Sequence, residues 1–184
     1  MSRLERLIDR YADHISTPWP EGRSGIERVI FIVYAPAEEL RLRVHIDELG
    51  RRTREAGHGW LHLDLTDAFP RWMAAHRYRD KYFRRPELMS GYREGRLTEF
   101  TTDLVQTTCD RISAATPNDV VALSGMGTLF GVSSVSELVE RCAPVVPGRL
   151  VVFFPGEVEN HNYRLLDARD GWGYMAHAIN ADGT

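Results

Sequence analysis

Two carboxylates and two arginines stand within a few positions of one another in the segment NYRLLDARDGW, residues 162–172. The four charged residues are Arg164, Asp167, Arg169 and Asp170. A pair of carboxylates can act as a general acid and a general base. However, a cation within about 4–6 Å lowers the pKa of a carboxylate and makes it a weaker proton carrier. The interspersed arginines therefore favour an ion-paired structural corner over an active site, with Asp170-Gly171 as a turn and Trp172 largely buried beneath it.

A second candidate site is the basic segment, residues 71–96, in which aromatic side chains are interleaved with cations. Eight cations stand against three carboxylates, which gives a net charge of +5, and Tyr78, Tyr82, Phe83 and Tyr92 are among the rings interleaved with the cations. Arginine beside aromatic rings suits contact with a nucleic acid or with the acidic surface of a partner protein. A solvated amphipathic helix whose rings face the core is the simpler interpretation, and we favour it. If the basic segment does make contacts, the candidate residues are Arg77, Arg79, Lys81, Arg84 and Arg85.

The glycine loop, residues 124–128 (SGMGT), could hold a phosphate after the third predicted strand. Gly125, Gly127 and Gly131 give the spacing GxGxxxG, one residue away from the dinucleotide-binding fingerprint, which should also follow the first strand of a βαβ unit. The chain has no GK[ST] sequence, so a Walker A loop is excluded. We favour a tight structural turn, and nucleotide binding or catalysis at this loop is the alternative.

The metal-binding signals are weaker still. His58 and His62 are four residues apart, but they straddle a glycine turn and a strand, and no HExxH or CxxC motif supports them. Asp64 and Asp67 could bind Mg²⁺ at a strand tip, although Asp67 more simply begins a helix. We therefore expect no metal ion.

Nucleophilic catalysis has no recognisable signature either. The chain contains no GxSxG elbow, and neither of its two cysteines, Cys109 and Cys142, has a flanking histidine. Both cysteines lie in apolar, helix-like sequence, so a disulfide framework is not expected. We therefore predict neither a catalytic set nor a cofactor.

Length and composition limit the function classes. At 184 residues the chain can form one domain with a proper core, and 43% hydrophobic and 27% charged residues are ordinary for a globular protein. The net charge of −3 gives no global reason to expect nucleic acid or an anionic membrane. The opening MSRLERLIDR lacks the apolar stretch of a signal peptide, and no apolar run approaches the roughly 20 residues of a membrane span. We expect a cytoplasmic protein without membrane contact.

Hydrophobic periodicity predicts the elements that must position these residues. Ser2 and Glu5 have capping-box spacing at the start of an N-terminal helix, residues 1–15. Apolar runs predict strands at 28–34, 60–65, 119–124 and 149–156, and an edge strand at 175–179. Four further helices are predicted. The first follows Pro36 and has Leu40, Leu42, Val44, Ile46 and Leu49 on its apolar side, and the second begins at Thr66 and Asp67. The third is long and covers residues 97–112, and the fourth is short and covers residues 134–142.

The resulting order is β-α-β-α-α-β-α-β, with strands too far apart for hairpins. Such alternation argues for a mainly parallel sheet with helices on both faces. We therefore predict one α/β domain over residues 1–184, built as three layers with Rossmann-like topology but without a nucleotide fingerprint. Ligands usually bind beyond the carboxyl ends of the strands in this architecture.

Four motifs together carry a family resemblance: FFPG at 153–156, NYRLLDARDGW at 162–172, AGHGW at 56–60 and DLTDAF at 64–69. They resemble the BrxB family, small proteins of the BREX bacteriophage-exclusion systems. The resemblance extends from about residue 28 to residue 180, and NYRLLDARDGW is long enough to be specific. One departure is Gly173, where the resemblance leads us to expect asparagine.

The resemblance implies a cytoplasmic antiviral role beside a PglZ-type protein, a DNA methyltransferase and a large ATPase. It implies no catalytic residues, so we predict a non-enzymatic assembly or accessory protein of a BREX-type complex, in contact most directly with the PglZ-type protein. The docking or structural residues would be Asn162, Tyr163, Arg164, Asp167, Arg169, Asp170 and Trp172. The alternatives are an enzyme or nucleotide-binding protein that uses residues 124–128, and a DNA-contacting subunit that uses residues 71–96.

Overall fold

Helices alternate with strands along the chain in the computed structural model, which describes residues 2–90, 96–168 and 171–183. The helices are α1 (Arg3–Ile15), α2 (Glu39–Glu55), α3 (Ala68–Ala75), α4 (Arg79–Arg84), α5 (Glu87–Ser90), α6 (Arg96–Ser113) and α7 (Val135–Cys142). The strands are β1 (Val29–Tyr34), β2 (Gly59–Asp64), β3 (Asp119–Ser124), β4 (Arg149–Glu159), β5 (Asn162–Leu165), β6 (Trp172–Gly173) and β7 (His177–Ile179). Short 3₁₀ turns precede β1 and α2 and follow β3 and α7. Within the described ranges, no helix combines the length and the apolar composition needed to cross a membrane.

Five parallel strands form the body of the sheet, in the order β2-β3-β4-β1-β7. β1 lies between β4 and β7, and all of its residues are buried. A continuous apolar, β-branched run is expected for a strand that is covered on both faces. The prediction of a central strand is therefore confirmed, and β7 confirms the predicted edge strand.

Successive residues of β1 point to opposite faces and divide the core into two halves. Ile30 and Ile32 pack with α1 and α2, whereas Phe31 and Val33 pack with α6 and α7. The capping box between Ser2 and Glu5 is formed. The buried face of α1 follows the predicted stripe, Leu4, Leu7, Ile8, Tyr11 and Ile15. The predicted α/β architecture, a mainly parallel sheet between helical layers, is thus confirmed.

The sheet has an antiparallel extension that the periodicity did not predict. β4 continues past Gly156, pairs with β5, and β5 pairs with β6. Asn160 and His161, which have φ values of 48° and 61°, form the two-residue connection between β4 and β5. Positive φ at both central positions is the geometry of a type I′ hairpin. The expectation that no strands form hairpins is therefore wrong here, and we call residues 156–168 and 171–173 the motif hairpin.

Helix α2 buries a narrower apolar side than the sequence predicted. Leu42, Ile46 and Leu49 pack in the core, but Leu40 and Val44 are each 78% exposed. Residues four apart lie on the same side of a helix, so these two form an exposed aliphatic pair. The predicted apolar side is wrong for Leu40 and Val44.

The start of α3 also differs from the prediction. Asp67 occupies the N-cap position without a side-chain capping hydrogen bond, because its backbone (φ −97°, ψ 9°) is not extended. Its carboxylate lies 3.7 Å from Arg71, one turn into the helix. Thr66 donates its hydroxyl to Asp64 at 2.6 Å instead. Neither of the two predicted residues caps α3.

Candidate functional site

The inner side of the motif hairpin is a cluster of aromatic rings. Tyr163, only 1% exposed, lies against Phe31 of β1 with the ring centroids 4.4 Å apart. Its hydroxyl donates a hydrogen bond to the carbonyl oxygen of Ala176 at 3.2 Å. Burial raises the pKa of Tyr163 to about 12, so the side chain is neutral at physiological pH. Tyr163 therefore anchors β5 to the main sheet.

Trp172 lies at the rim of this cluster rather than beneath the hairpin. Its ring centroid is 4.5 Å from that of Tyr174, and its indole nitrogen donates a hydrogen bond to Oε1 of Glu140 at 2.9 Å. Because Glu140 is exposed on α7, this hydrogen bond holds the indole near the surface, and the ring is only partly buried. The prediction that Trp172 is largely buried therefore holds only in part, since its ring packs against the core but Tyr163 is the more deeply buried of the two rings.

The outer side of the motif hairpin carries its charges. Arg164 and Asp167 are exposed, and neither forms an ion pair with a residue that the structure describes. The predicted ion pairing is therefore not found for these two residues within the described ranges. Arg169 and Asp170, the other half of the predicted corner, lie outside the described residues. Arg164 and Asp167 are available to contact another molecule.

Two glycines of the motif hairpin differ in what surrounds them. A β-carbon on Gly171 would lie 2.3 Å from the amide oxygen of Asn162, so the absence of a side chain lets the chain approach β5 there. A β-carbon on Gly173 would meet nothing within 4 Å. The β-carbon of an asparagine at position 173 would therefore contact no other atom.

The five candidate cations of the basic segment, Arg77, Arg79, Lys81, Arg84 and Arg85, are all exposed. Two of them have acidic neighbours, since Arg79 lies 3.6 Å from Asp80 and Arg85 lies 3.0 Å from Glu87. Lys81 and Arg84 form no ion pair within the described part of the chain. These two are the cations best placed to meet an anionic ligand.

The rings of the basic segment do not share one face. Tyr82 is buried, but Phe83 is 64% exposed. Tyr78 is exposed beneath the guanidinium of Arg77, which lies 4.7 Å from the ring centroid. The expectation of rings that face the core therefore holds for Tyr82 and fails for Tyr78 and Phe83. Tyr92 and Arg93 lie outside the described residues.

The glycine loop forms a tight turn that closes on itself. Gly125 has φ of 82°, and a β-carbon there would lie 2.5 Å from the backbone nitrogen of Thr66. The hydroxyl of Thr128 donates to the carbonyl oxygen of Gly125 at 2.7 Å. A four-residue 3₁₀ turn with Met126 and Leu129 buried follows, and no α-helix begins here. The geometry supports the structural turn that we favoured over a phosphate-binding loop.

A polar network at the carboxyl ends of β1 and β2 is a feature that the sequence did not reveal. Tyr34 donates its hydroxyl to Glu39, and Arg43 donates to Glu39 at 2.8 Å and to Thr66 at 2.9 Å. Thr66 donates in turn to Asp64 at 2.6 Å. Burial disfavours the ionised form of Asp64, but the hydrogen bonds from Thr66 lower its pKa overall. Side chains of this chain supply every donor and acceptor of these hydrogen bonds, so the network connects the ends of β1 and β2 to the start of α2.

His62 and Ser124 form a second polar pair that the sequence did not reveal. Nε2 of His62 lies 2.8 Å from Oγ of Ser124, and burial lowers the pKa of His62. A neutral histidine hydrogen-bonded to a hydroxyl is the first requirement of an activated serine. Ser124, however, is only 5% exposed, and neither residue lines a described pocket. The pair joins β2 to β3, and its hydroxyl lies almost entirely out of reach of solvent.

The two histidines considered for a metal site point to different partners. His58 bonds to Asn118 at 2.8 Å and stacks on Trp19 with the ring centroids 3.8 Å apart, whereas His62 bonds to Ser124. Across the described ranges, no group of three or more side chains suited to a metal ion comes together.

An open cleft of about 350 Å³ lies beside β2, between α3 and α6. Its lining includes Asp67, Arg71, Asp103 and Arg111, around the ring of Trp72. The indole nitrogen of Trp72 donates a hydrogen bond to Asp103 at 2.9 Å. Since charges of both signs line the cleft, the lining favours no single class of ligand.

No family model, curated protein or solved structure matches this chain. The α/β fold follows from the sheet topology itself, whereas the resemblance to the BrxB family rests on sequence motifs alone.

Proposed function

We propose that this chain is a non-enzymatic accessory subunit of a BREX-type antiphage defence complex, which acts in the cytoplasm through contacts with a PglZ-type partner. The motifs that resemble the BrxB family support the choice of system. The observation that carries the docking role is the outer side of the motif hairpin, where Arg164 and Asp167 are exposed without an ionic partner among the described residues.

The motif hairpin suits docking because its exposed charges stand on a rigid base. Tyr163 is held by Phe31 and by its hydrogen bond to Ala176. A surface that is already ordered loses less conformational entropy when a partner binds. Arg164 adds a planar guanidinium that can form two parallel hydrogen bonds with a carboxylate. Arginine is also enriched at the cores of protein interfaces.

A second candidate function is contact with a nucleic-acid strand through the basic segment. The observation that favours it is Phe83, 64% exposed, with Lys81 and Arg84 beside it in sequence and without described ion pairs. An exposed ring can stack on a base while neighbouring cations neutralise phosphates. The net charge of −3 opposes long-range attraction to nucleic acid, so this function is the weaker candidate.

Co-expression with the PglZ-type protein of the same gene cluster tests the docking role. The double substitution Arg164→Ala with Asp167→Asn should reduce the affinity for that protein about tenfold, a loss of about 1.4 kcal/mol. Protection of cells against phage should fall with it, while the melting temperature of the isolated chain stays unchanged.

A matched control removes the same two charges elsewhere. Arg41 and Asp13 are exposed on α2 and α1, and Arg41→Ala with Asp13→Asn should leave co-purification and phage protection intact. Equal recovery of the partner with both double variants would contradict docking through the motif hairpin. Failure of the unaltered chain to recover any component of the system would contradict the proposed function as a whole.

A further inference from the structure

The two cysteines of the chain lie side by side although 33 residues separate them. Cys109 is on α6 and Cys142 is the last residue of α7. Their sulfur atoms are 3.2 Å apart, and both thiols are free. A disulfide bond joins sulfur atoms about 2.05 Å apart, so an approach of about 1 Å would be enough to form one.

The two thiols differ in their access to solvent. Cys109 is partly exposed, whereas Cys142 is completely buried. Burial, together with the contact to Cys109, raises the pKa of the Cys142 thiol. A reagent in solution therefore meets Cys109 first, whereas Cys142 is in contact with the sulfur of Cys109. This is the arrangement of an attacking cysteine and a resolving cysteine.

We propose that Cys109 and Cys142 form a reversible dithiol–disulfide pair that is oxidised by hydrogen peroxide. The Cys109 thiol loses its proton, and its thiolate attacks one peroxide oxygen. The O–O bond breaks, Cys109 becomes a sulfenic acid, and the hydroxide that leaves takes up the thiol proton and becomes water. The sulfur of Cys142 then attacks the sulfur of Cys109, its proton leaves with the hydroxyl group as a second water, and the S–S bond forms. Two thiols are oxidised and one peroxide is reduced, and a small dithiol reverses the step by thiol–disulfide exchange.

Closing this bond would join two helices that support the motif hairpin. Glu140, two residues before Cys142, accepts the hydrogen bond of the Trp172 indole. Near the start of α7, the hydroxyl of Ser133 is 2.9 Å from that of Thr101 on α6. A disulfide at the end of α7 would therefore fix α7 against α6 at both ends. It would also hold Glu140 in the position where it accepts the hydrogen bond from Trp172. The inference does not depend on the proposed function, because it concerns the cysteine pair alone.

The test uses the purified protein, treated with hydrogen peroxide at one to ten equivalents and then quenched. We expect the monomer to lose about 2 Da in intact mass, because two hydrogen atoms leave, and to lose both of its titratable thiols. A dithiol should restore them. The disulfide should raise the melting temperature by about 5–15 °C, because it closes a loop in the unfolded chain.

Two variants separate the roles of the cysteines. In Cys142→Ala, Cys109 should stop at the sulfenic acid and become labelled by a sulfenic-acid-specific dione, without a rise in melting temperature. In Cys109→Ala, the buried Cys142 should react at least tenfold more slowly than Cys109 does. Two outcomes with the unaltered chain would overturn the proposal: both thiols still titrate after treatment with peroxide, or the disulfide forms only between two chains. Neither outcome requires a variant to fold.

Discussion

The motif hairpin and the basic segment both present charged side chains to solvent, but they are attached to the core in different ways. In the motif hairpin, strand pairing and the rings of Tyr163 and Trp172 connect the exposed charges to β1 and α7. In the helix α4 of the basic segment, only Tyr82 is buried, and Phe83 beside it is exposed. A cluster of charges in sequence therefore corresponds to two kinds of surface. The motif hairpin is attached to the core by several rings, whereas helix α4 is anchored by one buried ring, Tyr82.

The difference matters for what each surface can bind. A rigid surface can recognise a partner of fixed shape at a low entropic cost. Cations on a short helix with a few anchoring contacts suit an extended polyanion, for which charge and stacking matter more than shape. The following substitutions test this comparison, in order of decreasing effect.

The largest effect is expected from removal of the buried ring under the motif hairpin. Tyr163→Ala should lower the free energy of unfolding by about 3–5 kcal/mol, because it leaves a cavity against Phe31. Phe83→Ala in the basic segment should change it by less than about 0.5 kcal/mol, because that ring is already largely in water. Urea denaturation of both variants measures the two values. Similar losses at both positions would mean that the two surfaces are equally anchored.

A pair of glycines tests the hairpin itself. A β-carbon on Gly156 would lie 2.1 Å from the carbonyl oxygen of Arg164, so Gly156→Ala should cost about 1–3 kcal/mol through forced backbone shifts. Gly173→Asn enters open space and should change stability by less than about 0.5 kcal/mol. Thermal unfolding gives both values. A destabilising Gly173→Asn, or a neutral Gly156→Ala, would show that the strand pairing differs from the one described.

Each region also has a tryptophan hydrogen-bonded to a carboxylate at 2.9 Å: Trp172 with Glu140, and Trp72 with Asp103. Two double-mutant cycles, Trp172→Phe with Glu140→Ala and Trp72→Phe with Asp103→Ala, each remove the donor and the acceptor in turn, and both should give coupling energies of about 1 kcal/mol. Only the first pair should affect binding to the PglZ-type partner, because Trp172 belongs to the motif hairpin. An equal loss of partner binding from Trp72→Phe would remove the distinction between the two regions.

The smallest effect on stability is expected in the basic segment. Lys81→Ala with Arg84→Ala should change the free energy of unfolding by less than about 0.5 kcal/mol. We expect weak DNA binding by the isolated chain, with a dissociation constant of about 10⁻⁴ M or weaker at moderate salt. In a plot of the logarithm of the binding constant against the logarithm of the salt concentration, the double variant should have a slope about two units shallower. Fluorescence anisotropy over a salt series measures both. Tight binding to duplex DNA, or a slope that the substitutions do not change, would contradict this view.

The body of the sheet was predictable because burial on both faces leaves a simple pattern. The run at 119–124 coincides with β3, and the run at 28–34 differs from β1 by one residue. The short helix was also predictable, since Ser134 accepts the backbone N–H of Glu137 as an N-cap should. In these segments local propensity and tertiary burial favour the same structure.

The candidate site was only partly predictable. The exposure of Arg164 and Asp167 is consistent with their charge, but β5 has a single fully buried side chain, Tyr163, and so carries little apolar alternation. The turn before β5 lacks glycine. The one residue there that could have indicated a hairpin was Asn160, because asparagine tolerates positive φ. Tyr163 and Trp172 both pack against Phe31, which is far away in sequence, so the deeper burial of Tyr163 could not be predicted from the local pattern.

The pair His62 and Ser124 shows the same limit. The two residues are 62 positions apart and meet only because β2 and β3 are neighbours in parallel register. Periodicity predicts that each segment is a strand, but it contains no information on which strands become neighbours. Polar contacts between strands therefore become visible only once the strand order is known.

The strand order has a consequence for synthesis of the chain on the ribosome. β1 is translated early, yet both of its neighbours come late, since Val29 pairs with Leu150 and Ile30 pairs with His177. Until β4 emerges, the uncharged stretch VIFIVY has neither of its sheet partners. Such an apolar, β-branched segment readily joins other chains. Nascent chains interrupted after α7 should therefore aggregate, and the yield of folded protein should depend on how quickly translation proceeds from β1 to β4.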